Sequence, residues 1–289
     1  MKHNRKWIIA FLIPTTVLFI FVFGFSLILL FATSFTDWSI GSEINFIGIK
    51  NYIELVKNPD FIKSLTNTII WIMLQSTIHV GIGLIFALIL SKRKWYFKFA
   101  RMAFMIPNII SSAALGLLFL FVFNPQFGML NNTIRALGFT DFAQNWFMDP
   151  KTSFWAVTIT WLPFAAVVSI LILAEIATIP DSVYEAAKID GATEFQTTIK
   201  ITLPLLRNMI GTATILAATS MLQKLDIIMM TTSGGPGNKT MNLPMFIYQT
   251  ALGENNFSLA NTSGVYLILL GVLSVSIISR LYKTGESYY

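Results

Sequence analysis

Six long apolar stretches alternate with polar segments along the 289 residues of this chain. They run over Trp7–Ala32, Thr68–Leu90, Phe104–Phe123, Phe154–Thr178, Leu205–Met230 and Ala260–Leu281. A helix needs about 20 apolar residues to cross the hydrocarbon layer of a bilayer, and each stretch meets that length. The pattern therefore predicts an all-α membrane protein with six transmembrane helices. Lys2, Arg5 and Lys6 precede the first stretch, as they would in a secretory signal. Its apolar run is too long for one and no small-x-small cleavage site follows, so it reads as an uncleaved span. No repeat of 20–50 residues and no low-complexity linker interrupts the chain. A single membrane domain over residues 1–289 is expected, with one unusual loop at 179–204.

Composition narrows the class further. Apolar residues make up 55% and charged residues 12% of the chain, against roughly a quarter charged in a soluble domain. So few polar side chains cannot cover a water-soluble globule, and disorder would need low hydrophobicity with high net charge. There is no cysteine, and His3 and His79 are the only histidines. Disulfides, iron–sulfur clusters and a His-rich metal centre are thereby excluded, so no metal site is expected.

The net charge of +6 does not call for nucleic acid. Six spans put both termini on one side. With the termini inside, thirteen of the twenty Lys and Arg fall on inner segments and six on outer loops, leaving Lys224 within a span. That is the positive-inside bias, and it predicts cytoplasmic termini. The inner loop with Lys92, Arg93, Lys94, Lys98 and Arg101 carries no acid and is the strongest anchor. Trp7 and Trp95 then sit at the inner boundary and Trp71 and Trp155 at the outer, as interfacial anchors do.

The loop between the fourth and fifth stretches has helix signals of its own. Ser182 with Glu185, and Thr193 with Gln196, are capping-box pairs. Gly191 stands where a first helix of two to three turns would end in a left-handed residue. A second helix would reach about Leu203, with Pro204 starting the next span. Ala186 and Ala187 leave little bulk on the first helix, so another surface can approach its backbone. Glu185, Lys188, Asp190 and Glu194 ring it with the charge of a polar interface rim. The loop holds four acids against two bases, whereas a helix resting on lipid favours Lys and Arg. A docking element for another protein fits better.

The same segment, EAAKIDGATEFQTTIKITLP, resembles the EAA signature of ABC-importer permeases. Its fixed positions match at Glu185, Ala186, Ala187, Gly191, Ile201, Leu203 and Pro204 with the spacing intact. Ile179-Pro180 and Ile189-Asp190-Gly191-Ala192 look like the carbohydrate branch of that family, as do Ser34–Trp38, Asn51-Tyr52, Asn67-Thr68 and Pro107. Asp226, the segment Thr232–Pro236 and Thr240 resemble the first permease of the sugar-importer pair, the kind similar to the maltose-importer F subunit. The resemblance implies a non-catalytic subunit that forms half of a sugar pathway with a second EAA-type permease. It implies two ATP-binding subunits, which hold the ATP and Mg, and an extracytoplasmic sugar-binding protein. By position, Tyr184, Glu185, Ala186, Ala187, Asp190, Gly191, Ile201, Leu203 and Pro204 would couple to the ATPase.

Polar and aromatic residues within the spans are the candidates for the pathway. They are Asn108, Thr160, Trp161, Phe164, Thr219, Ser220 and Gln223, with Trp161 and Phe164 offering a sugar-stacking face near Pro163. Gln75, Ser111, Ser112 and Asp226 are further polar candidates. For the hydroxyls and Asn108, helix–helix contact is the competing reading, and for His79 it is a packed neutral ring. Lys224 would either snorkel at the outer surface or serve an outer gate. Glu175 is expected at the inner interface. The segment Gly234–Thr240, GGPGNKT, suggests a phosphate loop only superficially, because Asn238 and not glycine precedes Lys239. An ion-coupled secondary transporter is the alternative. It would need a midplane ionisable pair or broken inverted repeats, and it leaves the two-helix loop without a task.

Overall fold

The computed structural model describes residues 3–92 and 97–283, which are nearly all helical with no strand among them. Lys2, Arg93, Lys94, Trp95 and residues 284–289 lie outside the described residues. In chain order the helices are α1 (His3–Phe19), α2 (Phe25–Thr33), α3 (Lys50–Leu55), α4 (Pro59–Leu74), α5 (Val80–Leu90), α6 (Phe97–Ile109), α7 (Ser112–Val122), α8 (Met129–Ala136), α9 (Ser153–Ile159), α10 (Ala166–Ile176), α11 (Asp181–Ile189), α12 (Glu194–Thr197), α13 (Leu203–Leu205), α14 (Arg207–Met221), α15 (Asp226–Thr231), α16 (Leu243–Tyr248) and α17 (Phe257–Tyr282). Wide π turns at Ile20–Gly24, Gln75–His79 and Thr198–Thr202 carry the helix on from α1 to α2, from α4 to α5 and from α12 to α13.

Three continuous helices are long and apolar enough to cross a membrane: Ile9–Thr33, Pro59–Leu90 and Phe257–Tyr282. Three sharply bent pairs bring the number to six if each is one span. The bends break up the spans expected from hydropathy, in which only a kink at Pro163 is expected. The third stretch breaks between α6 and α7 by 99°. Pro107 has already removed a helix donor there, and Ser111 starts a new helix, its hydroxyl accepting from the Ala114 N–H. The second pair is α10 and α11, bent by 74°, and the fourth stretch is also interrupted earlier, at residues 160–165 around Pro163. The fifth bends by 67° at Leu206 and is interrupted again at residues 222–225. Pro204 therefore does not begin a span. The π turn widens the backbone just ahead of it, where a tight turn would press on the ring, and the helix continues to Leu205.

The residues fall into two compact units. One comprises the described residues up to Ile62 together with Phe246–Leu269. Here α2 ends at a polar knot. The Asn51 amide donates to the Ser34 and Thr36 carbonyls, Ser34 Oγ meets Tyr52 Oη at 2.7 Å, and Thr262 Oγ1 donates to the Ser34 carbonyl. These groups satisfy backbone oxygens that a helix end leaves open. Phe61, Phe246 and Tyr266 pack edge to face beside it.

The other unit comprises Lys63–Met245 and the described residues from Leu270 on. Its core joins Val80 and Ala87 of α5, Val168 and Ile172 of α10, and Ile210, Ala213 and Ala217 of α14. Association of helices in lipid rests on close packing, not on expulsion of water. Gly83 shows how close: a Cβ there would stand 2.6 Å from Val168 Cγ1. Arg207 Nη2 reaches the Leu281 carbonyl at 3.0 Å, closing the end of α17. Trp71 is fully buried, stacked on Phe154 at 4.9 Å and donating to Thr158 Oγ1 at 2.8 Å. It is thus an internal packing residue and not an interfacial anchor. Trp7 and Trp155 are exposed, as such anchors would be.

Candidate functional site: a projecting turn and a membrane cavity

The loop between the fourth and fifth stretches folds as two short helices joined at Gly191. α11 starts two residues earlier than the capping-box pattern implies, with Pro180 as its N-cap. Ser182 is then already inside the helix, and no Ser182–Glu185 box forms. The C-terminal end follows the expectation closely. Gly191 has φ +76°, its N–H donates to the Lys188 carbonyl, and the Ala192 N–H donates to Ala187. This pair of bonds is a Schellman motif, and it needs a residue tolerant of the left-handed region. Thr193 caps α12 and forms the expected box with Gln196 in both directions.

The turn presents Glu185, Ala186, Asp190 and Gly191 to the outside, while Ala187 is buried and Tyr184 half-buried. Ile201 and Leu203 are half-buried further along, and Pro204 is exposed. Two residues missed in the sequence stand out here. Ile189 is 85% and Phe195 is 74% exposed, one on each side of the Gly191 turn. The signal was present: both are large apolar residues in a polar segment. Behind the loop lies an open groove of about 1340 Å³, lined by Tyr184, Lys188 and Thr198 with the ends of α5 and α10. Lys92 and Glu194 pair across it at 2.8 Å, exposed enough to contribute at most about 1 kcal/mol.

A second cavity, of about 250 Å³, opens where three helices are irregular: the π turn after α4, the α6–α7 bend and the α9–α10 break. Of the pathway candidates, Asn108, Trp161, Phe164 and Ser220 line it, together with Gln75, His79, Ser112 and Lys224. Thr160, Thr219, Gln223, Ser111 and Asp226 do not. Thr160 is buried with its hydroxyl on the Val157 carbonyl, and Thr219 donates to Ile215. Gln223 is exposed.

The break between α9 and α10 frees carbonyls that a helix would otherwise satisfy. Two of the polar residues take them up. His79 Nδ1–H donates to the Leu162 carbonyl at 2.8 Å, and Asn108 Nδ2 donates to Phe164 at 3.2 Å. Irregular backbone at membrane depth requires such partners. His79 is packed and buried, as its competing reading held. Lys224 does not snorkel from a helix. It sits in the 222–225 interruption, with Nζ 5.8 Å from the Trp161 ring centre. The GGPGNKT segment joins two helices, and Thr240 Oγ1 is taken by Thr232 and the Gly235 carbonyl. A phosphate loop would follow a strand.

Bent membrane helices, a cavity among them and an exposed helical turn describe a multi-pass membrane protein. The chain belongs to the family of binding-protein-dependent transport system inner membrane components, whose pattern matches residues 79–284. It is accordingly an inner-membrane, multi-pass transport component and not an enzyme. Over 291 residues it is 31% identical to YurN of Bacillus subtilis (strain 168), named as a probable ABC transporter permease protein, covering 99% of each chain. It is 30% identical to the sulfoquinovosyl glycerol transport system permease protein SmoG of Agrobacterium fabrum, covering 98% of this chain and 92% of that one. Its fold is similar to a chain in the crystal structure of a bacterial ABC transporter that imports the acidic polysaccharide alginate. The TM-score is 0.85 at 22% identity, over 98% of both chains.

Proposed function

We propose that this chain is one membrane-spanning half of an ATP-driven, binding-protein-dependent importer of oligosaccharides. The reading is supported most by the α11–Gly191–α12 turn. It carries the EAA residues on an exposed, backbone-locked element rather than on a slack loop. In this reading both termini and the turn face the cytoplasm. α11 enters a groove on one of two ATP-binding subunits, which bind ATP and Mg and do all the hydrolysis. Glu185 pairs with a cation in that groove, and Ile189 and Phe195 give the contact an apolar centre. A second EAA-type permease completes the pathway, and an extracytoplasmic binding protein delivers the sugar. A carbohydrate cargo agrees with the sulfoquinovosyl glycerol relative and with the aromatic wall of Trp161 and Phe164.

The physical requirement is rigidity. A displacement passes between sites only through an element with discrete arrangements that both sites bias. The test is labelled-sugar uptake across a panel, in a strain with the chain deleted and then restored. Restoration is expected to recover uptake, and Glu185→Ala is expected to abolish it while the protein still inserts. Uptake unchanged by Glu185→Ala, or a tag on residues 182–203 reached from outside the cell, would overturn the coupling role. The purified chain alone is expected to hydrolyse no ATP.

A further inference from the structure

We infer that the solute carried past the 250 Å³ cavity bears an acidic group, and that Lys224 receives it. The inference deepens the proposed function, because it takes the cargo to be a sugar and assigns its charge.

The polar residues at the cavity divide into two sets. His79 and Asn108 are committed to the Leu162 and Phe164 carbonyls, so they hold the broken α9–α10 segment together. The groups left facing the space are different. Gln75 is 4% exposed, and its Oε1 has no hydrogen-bond partner. Its Nε2 reaches Ser220 Oγ at only 3.5 Å. Lys224 lines the same space and has no ion pair among the described residues. Asp226 acts on it only from beyond ion-pair distance and is itself exposed.

No Asp or Glu appears among the described residues that line the cavity. A neutral sugar would be served by Gln75, Ser112 and Ser220 alone. The half-buried Lys224 ammonium has no acid within ion-pair distance among the described residues, and a carboxylate or sulfonate on the solute would compensate it more closely than Asp226 does. Trp161, buried at the cavity wall, holds its ring 5.8 Å from the ammonium and so keeps the cation beside the space. The volume of about 250 Å³ lies just below the roughly 300–1,000 Å³ of small-molecule pockets and suits one sugar ring of a longer solute at a time.

The test compares uptake of a labelled glucuronate-containing disaccharide, its sulfonated counterpart and its neutral counterpart by cells carrying the whole importer. Wild type is set against Lys224→Met and Lys224→Arg, with membrane levels of the chain measured by immunoblot. Lys224→Met is expected to lower the ratio of acidic to neutral uptake about tenfold or more, as loss of a charge-assisted hydrogen bond does. Lys224→Arg is expected to keep most of that ratio, and the two acidic probes report which anion is preferred. Sugar uptake whose acidic-to-neutral ratio is unchanged in Lys224→Met overturns this inference and leaves the proposed function standing. That is also the result if an acid of the partner permease is the true counter-ion, since all sugars would then suffer alike. Wild-type cells that take up none of the sugars overturn both.

Discussion

Replacing Gly191 isolates the backbone geometry of the projecting turn from its contacts. A Cβ at this position meets nothing within 4 Å, so alanine introduces no clash. What it introduces is a side chain at φ +76°, a region that costs an ordinary L-residue roughly 1–2 kcal/mol. Asparagine tolerates that region better and is expected to fall between glycine and alanine. Proline is the most severe change: its φ is fixed near −65°, and it removes the N–H that bonds to Lys188. At about 1.4 kcal/mol per tenfold, alanine lowers the population of the formed turn by roughly 5–30-fold relative to open states. Uptake by the assembled importer is therefore expected to rank Gly191, then Asn, then Ala, then Pro. Protection of the Ala192 amide from hydrogen exchange, at the outer bond of the turn, should fall in the same order. Equal exchange in the asparagine and alanine variants, or full uptake with Gly191→Pro, would refute the argument.

Other expectations concern the frame that holds the turn and the cavity. Gly83→Ala places a methyl 2.6 Å from Val168 and is expected to destabilise the purified protein by about 1–3 kcal/mol, with Val168→Ala in the same chain restoring much of the loss; melting in detergent reads both. Trp71→Phe and Thr158→Val both break the buried Trp71–Thr158 hydrogen bond, the second also removing the hydroxyl's bond to the Phe154 carbonyl; each is expected to cost about 1–2 kcal/mol, with the double variant costing less than the sum. Thr193→Ala is expected to remove about 1 kcal/mol from α12 and to raise exchange at the Gln196 amide, while the α11 amides stay protected. A fully additive Trp71–Thr158 pair would show that their hydrogen bond contributes nothing in the folded protein.

The membrane-spanning nature of the chain and the form of the α11–α12 loop were legible in the sequence, each for a local reason. Hydropathy is a sum over neighbours, and the Gly191 and Thr193 signals act within four residues. The bends were less legible, because Leu206 and residues 222–225 carry no proline or glycine to announce them. Pro163 did announce the fourth break. Trp71 was misread because a tryptophan near the end of an apolar run looks the same whether it meets headgroups or Phe154. Ser182 was misread because the helix takes Pro180 as its N-cap and so starts two residues earlier. The cavity gathered Asn108, Trp161, Phe164 and Ser220 but not Thr160, Thr219 or Gln223. Which side of a helix faces a space depends on the π turn and the breaks, and these alter the angular phase that a sequence count assumes. The commitment of His79 and Asn108 to freed carbonyls was invisible, since those carbonyls become available only when the partner helix breaks.

Many hydroxyls in this protein are folded back onto their own helices: Thr214 on Ile210, Thr219 on Ile215, Thr231 on Ile227, Ser263 on Leu259 and Ser274 on Leu270. A helix dressed in this way shows its surroundings, packed neighbours or lipid, little more polarity than one made of alanine. Its entry into the bilayer is then governed by the neighbouring Leu, Ile and Phe, and a letter-by-letter polarity score overstates the burden that such threonines and serines place on insertion.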